Sequence, residues 1–517
     1  MKPLKLAAAV LPLVALSLLV SGSSALAAPT ALPIPAIPNV APLPGPIAQP
    51  SQPAAKMGIL TTSPQIGLPG KQFTIAGKGF PASTDVEIEW GTANVTWVVD
   101  ARPDSVDYMG RQAQKLNVVL AHAKTDASGN LAVKLQAPRD FGGIHDIYAV
   151  VSGQQLAKGG FLISRSASIS PKSGPIGTMI TVRYSGLGSS LYEGGAALLW
   201  DNKFAGAMMA NWTRGDAVAH IRASGPVGVH TLEVADAISF KYLNIEQSPI
   251  PWGTGFKLSF RVTKDNGRPK AQIDWPAKIA PTMNAKTTLQ LDTTGSTTSA
   301  ALSKTSGPIL TKTQLTAKGL DPSAPADLEW ATVVGNRVNC TGTCWSFVSV
   351  PLGKATVAAD GTLSTMVKIP DGLGGWHELQ VLQNGAIKTQ TPFYVNRSID
   401  GKGVSSLVLH EGQHFTVHLK GLGWTELDNT TAVDYDNSYI GYGCGFNSQG
   451  DVVMNLVATG GPGTHLIDMY PLLYTNSPSY ANTPYGMIPI LTYERDAPGL
   501  ALGYDLPAIR LAITIVK

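Results

Sequence analysis

Four Gly-x-His triplets stand at domain-sized intervals in this chain, each at the head of a strand-like run: Gly143-Ile144-His145, Gly228-Val229-His230, Gly375-Trp376-His377 and Gly463-Thr464-His465. In the first copy the run is Asp146-Ile147-Tyr148-Ala149-Val150-Val151. Alternation with a period of two marks a half-buried β-strand. One short element recurring at domain-sized intervals means a recurring domain. The repeat therefore constrains the fold more tightly than any bulk property of the chain.

A second marker lies upstream of each histidine, a strand closing on an aromatic residue. Val86-Glu87-Ile88-Glu89-Trp90, Ala197-Leu198-Leu199-Trp200, Asp327-Leu328-Glu329-Trp330 and Ala432-Val433-Asp434-Tyr435 carry it. The aromatic precedes its histidine by 55, 30, 47 and 30 residues in chain order. Copies one and three are thus long, and copies two and four short. His145 and His377 lie 232 residues apart; His230 and His465, like Trp200 and Tyr435, lie 235 apart. Asp274-Trp275-Pro276-Ala277 echoes Asp505-Leu506-Pro507-Ala508 at an offset of 231. The pattern is a tandem duplication of a long-short pair.

Between the markers the signals are short strands and turns. Gln72-Phe73-Thr74-Ile75-Ala76 and Leu131-Ala132-Val133-Lys134-Leu135 alternate, and Asp126-Ala127-Ser128-Gly129-Asn130 is a turn cluster. No capped amphipathic helix is legible in the mature chain. The expected fold class is all-β: four tandem immunoglobulin-like β-sandwich modules arranged as a duplicated long-short pair. Their expected bounds are 58–165, 166–283, 299–397 and 398–517, with a Thr/Ser-rich linker at 284–298.

These residues resemble a known pattern. Gly-x-Gly-Phe before a strand ending in Trp, then Thr-Asp-Ala-Ser-Gly-Asn, then Pro…Gly-x-His and an alternating strand, is similar to the bacterial extracellular immunoglobulin-like repeats of the IPT/TIG type. The resemblance spans about residues 58 to 517 and is weaker in the fourth copy. The Cys…Trp…Cys signature of antibody domains is missing. The resemblance implies a β-sandwich and a surface or secreted role as spacer, adhesin, carbohydrate-binding companion or envelope component. It implies no particular activity.

The ends agree with export. Lys2 and Lys5 precede an apolar stretch, Ala7 to Val20, and Ala25-Leu26-Ala27 offers a cleavage site, so 1–27 reads as a signal peptide. Residues 28–57, rich in Pro and Ala, read as an extended spacer. No transmembrane segment is expected after signal cleavage. The expected location is secreted or extracellular, in association with the cell surface. A formal net charge of +4 over 517 residues argues against a nucleic-acid partner, which demands a dense basic face. A cell-envelope component, a glycan or another surface protein is the expected partner.

The candidate chemistry is thin. His410-Glu411-Gly412-Gln413-His414 fits the His-Glu-x-x-His string of zinc hydrolases, which requires a helix to bring both imidazoles to one metal. Aligning the two halves instead places this segment at a turn between strands, opposite Pro175 to Met179. Phe415-Thr416-Val417-His418-Leu419 then continues as a strand. On a strand His414 and His418 stand about 13 Å apart, too far to share an ion. His410 and His414 remain the weak metal candidates. The Gly-x-His histidines are expected to bind local backbone groups or to pack on the strand-end aromatic. Cys340, Cys344 and Cys444 allow one disulfide, either within the Cys340–Cys344 loop or between Cys344 and Cys444. No cofactor is implied. The aromatic loops that follow the Gly-x-His strand in the short copies are the candidate ligand surfaces: Phe240, Tyr242 and Trp252, then Tyr470, Tyr474, Tyr480 and Tyr485. Packing between neighbouring modules is the competing use of the same loops. The expected function is a non-enzymatic surface protein with an adhesion, envelope-structural or assembly role, with carbohydrate binding as the alternative and a zinc hydrolase behind both.

Overall fold

The structure, a computed structural model, describes residues 40–102, 105–190, 193–237, 240–247, 255–277, 297–335, 345–472 and 487–517. The described residues form eight sheets, four of three strands and four of five or six. The small sheets are assembled alike. The first joins Thr61–Ser63, Gln72–Gly77 and Leu131–Gln136; the second Ser166–Ser170, Met179–Ser185 and Asp216–Arg222. The third joins Ser299–Leu302, Lys312–Lys318 and Leu363–Lys368; the fourth Ser398–Val404, His414–Lys420 and Val452–Val457. Each large sheet has the Gly-x-His strand in its middle, flanked by the strand that carries the aromatic marker and by the strand that follows in the same sandwich.

Alternation explains why each small sheet faces a large one. In Gln72–Gly77 every second residue is buried, and Phe73 and Ile75 meet Ile88, Trp90, Ile147 and Phe161 of the large sheet in one cluster. Leu315, Trp330, Leu379 and Phe393 form the corresponding core of the third sandwich, and Phe415, Val417, Ile467 and Ile513 that of the fourth. The second sandwich is centred on Ile180, Val182, Trp200 and Phe260. The opening segment of each sandwich also changes sheets. A short stretch of it pairs parallel with the last strand of the large sheet: Ile66 with Leu162, Ser173 with Arg261, Ser306 with Tyr394 and Val408 with Thr514. This is the immunoglobulin-like sandwich plan repeated along the chain.

Pro35–Lys517 forms one compact unit rather than a string of separate beads. The strands of the second and fourth sandwiches show why. Gly195–Trp200 and Thr430–Tyr435 are buried at every position, so alternation is lost. Gly195–Trp200, covered on both faces, reads as a continuous apolar run, whereas Thr430–Tyr435 buries Thr430, Thr431 and Asp434 among its apolar residues. In Gly463–Pro471, Ile467 and Met469 enter the fourth sandwich's own core, whereas Leu466 and Tyr470 point the other way into the core of the second. The large sheets of these two sandwiches therefore pack on one another. Gln272–Asp274, which follows the second sandwich in the chain, adds an edge strand to the fourth by pairing with Ala508–Val516. The Asp274 and Asp505 echoes are consequently neighbours in one sheet region, with Asp274 opposite Ala508, and not equivalent positions of two copies.

A further apolar cluster gathers all four sandwiches. Trp97, Val99 and Val106 come from the long hairpin of Asp85–Arg102 and Ser105–Lys124, and Met209 and Trp212 from the second sandwich. Tyr394 comes from the third, and Leu427, Ile490, Leu500 and Tyr504 from the fourth. The expected linker at 284–298 falls largely outside the described residues. Among the described residues no helix is long and apolar enough to cross a membrane.

Candidate functional site

The Gly-x-His motif builds the same small device four times. The glycine takes positive φ in every copy, 103° at Gly143, 154° at Gly228, 85° at Gly375 and 146° at Gly463, a region that side chains disfavour. The next-but-one residue then turns inward. His145 stacks on Trp90 at 4.4 Å, His230 on Trp200 at 5.1 Å, His377 on Trp330 at 4.9 Å and His465 on Tyr435 at 5.6 Å. Each Nε2 reaches the carbonyl oxygen four residues earlier: Phe141 at 2.7 Å, Pro226 at 2.7 Å, Leu373 at 3.0 Å and Gly461 at 2.9 Å. Both expected roles, backbone partner and aromatic packing, are present together.

Nδ1 separates the long copies from the short ones. In the long copies it meets a backbone carbonyl, Gly91 at 2.8 Å and Ala331 at 3.2 Å. In the short copies it meets a carboxylate, Asp201 at 2.6 Å and Asp436 at 2.6 Å. The residue just after the aromatic marker sets the difference: Trp90-Gly91 and Trp330-Ala331 against Trp200-Asp201 and Tyr435-Asp436. His377 and His465 differ in their electrostatics. Complete burial drives the His377 pKa down to about 4. For His465 burial also opposes the charge, but the hydrogen bond and field of Asp436 raise its pKa above the usual value. A His-Asp pair of this kind resembles part of a hydrolase triad, yet its Nε2 is already engaged by a backbone carbonyl. That nitrogen is not presented to a nucleophile. The device orients strands.

The junctions between sandwiches hold the more unusual chemistry. Asp496 is fully buried and accepts hydrogen bonds from Trp97 Nε1 at 2.6 Å and from the Trp212 amide at 3.0 Å. Burial pushes its carboxyl up to about 6. Arg214, also buried, donates to Asp140 at 2.7 Å and to the Ala93 carbonyl at 2.9 Å, while Trp90 Nε1 donates to the other Asp140 oxygen at 2.9 Å. Between the second and fourth sandwiches Arg222 pairs with Asp468 at 2.7 Å and donates to the Leu511 carbonyl at 2.6 Å. Arg510 pairs with Asp274 at 2.6 Å. Buried charges are tolerable only when paired and hydrogen-bonded in this way.

Backbone contact closes two of the junctions. A Cβ on Gly142 would stand 1.8 Å from the Gly186 oxygen, and one on Gly374 would stand 1.8 Å from the Gly421 oxygen. Gly142 N donates to Leu187 O and Gly374 N to Leu422 O, each at 2.9 Å. The signal was present in the sequence, since the long copies read Gly-Gly-x-His and the short ones do not.

The other candidates fare differently. Tyr470 is a correction: it does not present a ligand surface, because it is fully buried in the core of the second sandwich, where Arg510 donates to its hydroxyl at 2.8 Å. Phe240 and Tyr242 are 47% and 45% exposed, and Phe240 leans on Phe204 at 4.4 Å. Trp252, Tyr474, Tyr480 and Tyr485 lie outside the described residues, as do Cys340 and Cys344. Cys444 is an exposed free thiol. The described remainder of the last aromatic loop packs inward, with Ile488, Ile490 and Tyr493 buried. His410 ends the strand Val408–His410 and His414 begins His414–Lys420, so the zinc-hydrolase string is a strand, a turn and a strand, not a helix. His410 Nδ1 faces the Lys517 carbonyl at 2.9 Å. Among the described residues no group of three His, Cys, Asp or Glu is placed to hold a metal ion.

No family model matches the chain, and no curated protein matches it. Among solved structures it is similar to a Corynebacterium diphtheriae protein described as membrane anchored, at 12% identity over 65% of this chain and 91% of that one, with a TM-score of 0.17. It is also similar to the N-terminal eight Ig domains of the Down Syndrome Cell Adhesion Molecule, at 11% identity over 80% of this chain and 59% of that one, with a TM-score of 0.17. At such scores neither likeness carries functional weight. The immunoglobulin-like reading rests on the strand pairing of this chain itself.

Proposed function

We propose that this chain is exported and works outside the cytoplasm as a non-enzymatic immunoglobulin-like scaffold, with an adhesion, envelope-structural or assembly role. The observation that carries the reading is the character of the junctions. Trp97, Trp212 and Asp496 meet with the burial and hydrogen bonding of a domain core, although they lie on different sandwiches. Modules that act as flexible spacers meet through small polar interfaces. A fused body holds its outer loops in fixed relation, which is what a scaffold that presents a surface requires. The leader-like residues 1–27 support export, and the repeat pattern supports kinship with IPT/TIG-type repeats. The partner in this reading is an envelope component or another surface protein.

The test is fractionation of the native cell with sequencing of the mature N-terminus. The expected result is a protein beginning after Ala27 and found at the surface or in the medium. A cytoplasmic chain that retains residues 1–27 would refute the proposal.

One observation favours carbohydrate binding as a second reading: Phe240 and Tyr242 leave about half of their surface open on one short stretch. Rings of this kind stack on the apolar faces of sugars. A glycan array probed with the wild-type protein and with Tyr242→Ala separates the two readings, and a wild-type chain that binds no glycan removes the second.

A further inference from the structure

The sandwiches enclose a basic trough that none of them forms alone. Arg139 comes from the first sandwich, and Arg183, Asp216 and His220 from the small sheet of the second. Glu494 and Arg495 come from the connection that precedes the last strand of the fourth. Together they line a cleft of about 620 Å³. A second hollow, lined on its far side by Lys134, shares Arg139, Asp216 and Arg495 with the first. The two hollows therefore adjoin along these three side chains.

The charges in this trough do not cancel. Asp216 is taken by Arg139 at 2.6 Å and also accepts from Ser185 Oγ at 2.5 Å. Glu494 is taken by His220 at 3.3 Å. Arg183 and Arg495 make no ion pair among the described residues. Arg495 is half-buried, and that burial is what chiefly disfavours its positive charge; the pull of Asp216 opposes it more strongly than Arg183 adds to it, with Asp496 and Arg139 smaller still. A partly desolvated guanidinium among like charges gains strongly from a bound anion. Ser166 and Ser168 add hydroxyl donors along the wall.

We propose that this trough binds an anionic polymer segment whose carboxylate or phosphate groups lie along Lys134, Arg139, Arg495 and Arg183. Four cations spread over two adjoining hollows suit successive acid groups of one chain better than a single small ion. Two guanidiniums without carboxylate partners supply fork-shaped donors for successive acid groups. Because the trough is made by three sandwiches, the ligand also braces their junction.

The experiment is titration calorimetry on the full mature chain with three probes of matched length: an oligogalacturonate, a linear polyphosphate and a neutral malto-oligosaccharide. One or both anions are expected to bind, more weakly at high salt, while the neutral sugar does not. The stronger of the two anions identifies carboxylate or phosphate as the group recognised. Arg183→Gln removes an exposed side chain and leaves the fold intact, and it is expected to weaken anion binding by roughly tenfold. Arg183→Gln combined with Arg495→Gln is expected to abolish it, whereas Lys56→Gln, on a distant edge strand, changes nothing. Failure of both anions to bind the wild type, equal binding of the neutral sugar, or unchanged affinity in a folded Arg183→Gln protein would overturn the proposal.

Discussion

His377 and His465 occupy the same position in two copies of one motif, yet their replacement by glutamine should alter stability with opposite dependence on pH. His377 is the buried, neutral case. Its folded-state pKa of about 4 lies below the unfolded value, so it contributes stability that is present above the unfolded pKa and lost as pH falls towards the folded one. Integrated from about pH 7.5 to about pH 4.5, the loss is about 2.5 kcal/mol. At neutral pH His377→Gln should cost about 2–4 kcal/mol, since it removes the stack on Trp330 and leaves a poorly filled site. On acidification the difference between wild type and variant should shrink by about 2.5 kcal/mol. His465 is the charged case. Its pKa is raised by Asp436 against the effect of burial, so its contribution is fully present below the unfolded value and lost as pH rises through the folded one. The His465→Gln difference should therefore grow on acidification and shrink on the alkaline side. Urea unfolding followed by circular dichroism across the pH range measures both. A His377→Gln difference that stays constant or widens in acid, or two variants with the same slope, would refute the electrostatic reasoning.

Three further outcomes follow from the junctions. Gly142→Ala and Gly374→Ala force a methyl against a carbonyl oxygen and should each cost about 1–3 kcal/mol in denaturant unfolding, because backbone on both sides resists displacement. Arg222→Leu leaves Asp468 only the longer pair with Arg510 at 3.6 Å and should cost about 3 kcal/mol, more than loss of an exposed pair such as Lys354–Asp327. Asp496 has a folded-state pKa above its unfolded value, so it favours the fold most at low pH, and that contribution is lost as pH rises through about 6. The thermal stability of the wild type should accordingly fall relative to Asp496→Asn between about pH 4 and about pH 7, read as a change in the Tm difference.

The sandwiches were legible in the chain because their cores obey local rules. Phe73 and Ile75 alternate, Trp90 closes a strand, and Gly143 opens one, so spacing alone revealed the copies and their long-short order. The same logic placed His410 and His414 at a turn. What the sequence concealed is the assembly. Trp97 and Asp496 are bonded across 399 positions of chain, and no periodicity links them. Tyr470 read as a loop aromatic because alternation separates an inward face from an outward one, whereas both faces of its strand are covered. Two features of the sequence carry part of the assembly: the doubled glycine of Gly142-Gly143 and Gly374-Gly375, and the aspartate after the aromatic in Trp200-Asp201 and Tyr435-Asp436. Each distinguishes the copies by what they touch. The Asp274 and Asp505 echo read as one more offset of the duplication, but the two segments are neighbours in one sheet region and not equivalent positions.

Scanning calorimetry of the mature chain tests most directly the claim that the sandwiches form one body. Junctions with core-like burial make their unfolding cooperative, so the account predicts one transition whose van't Hoff and calorimetric enthalpies agree, and which Arg222→Leu or Gly374→Ala shifts as a whole. Separate transitions, with either substitution moving one and leaving the others in place, would contradict it.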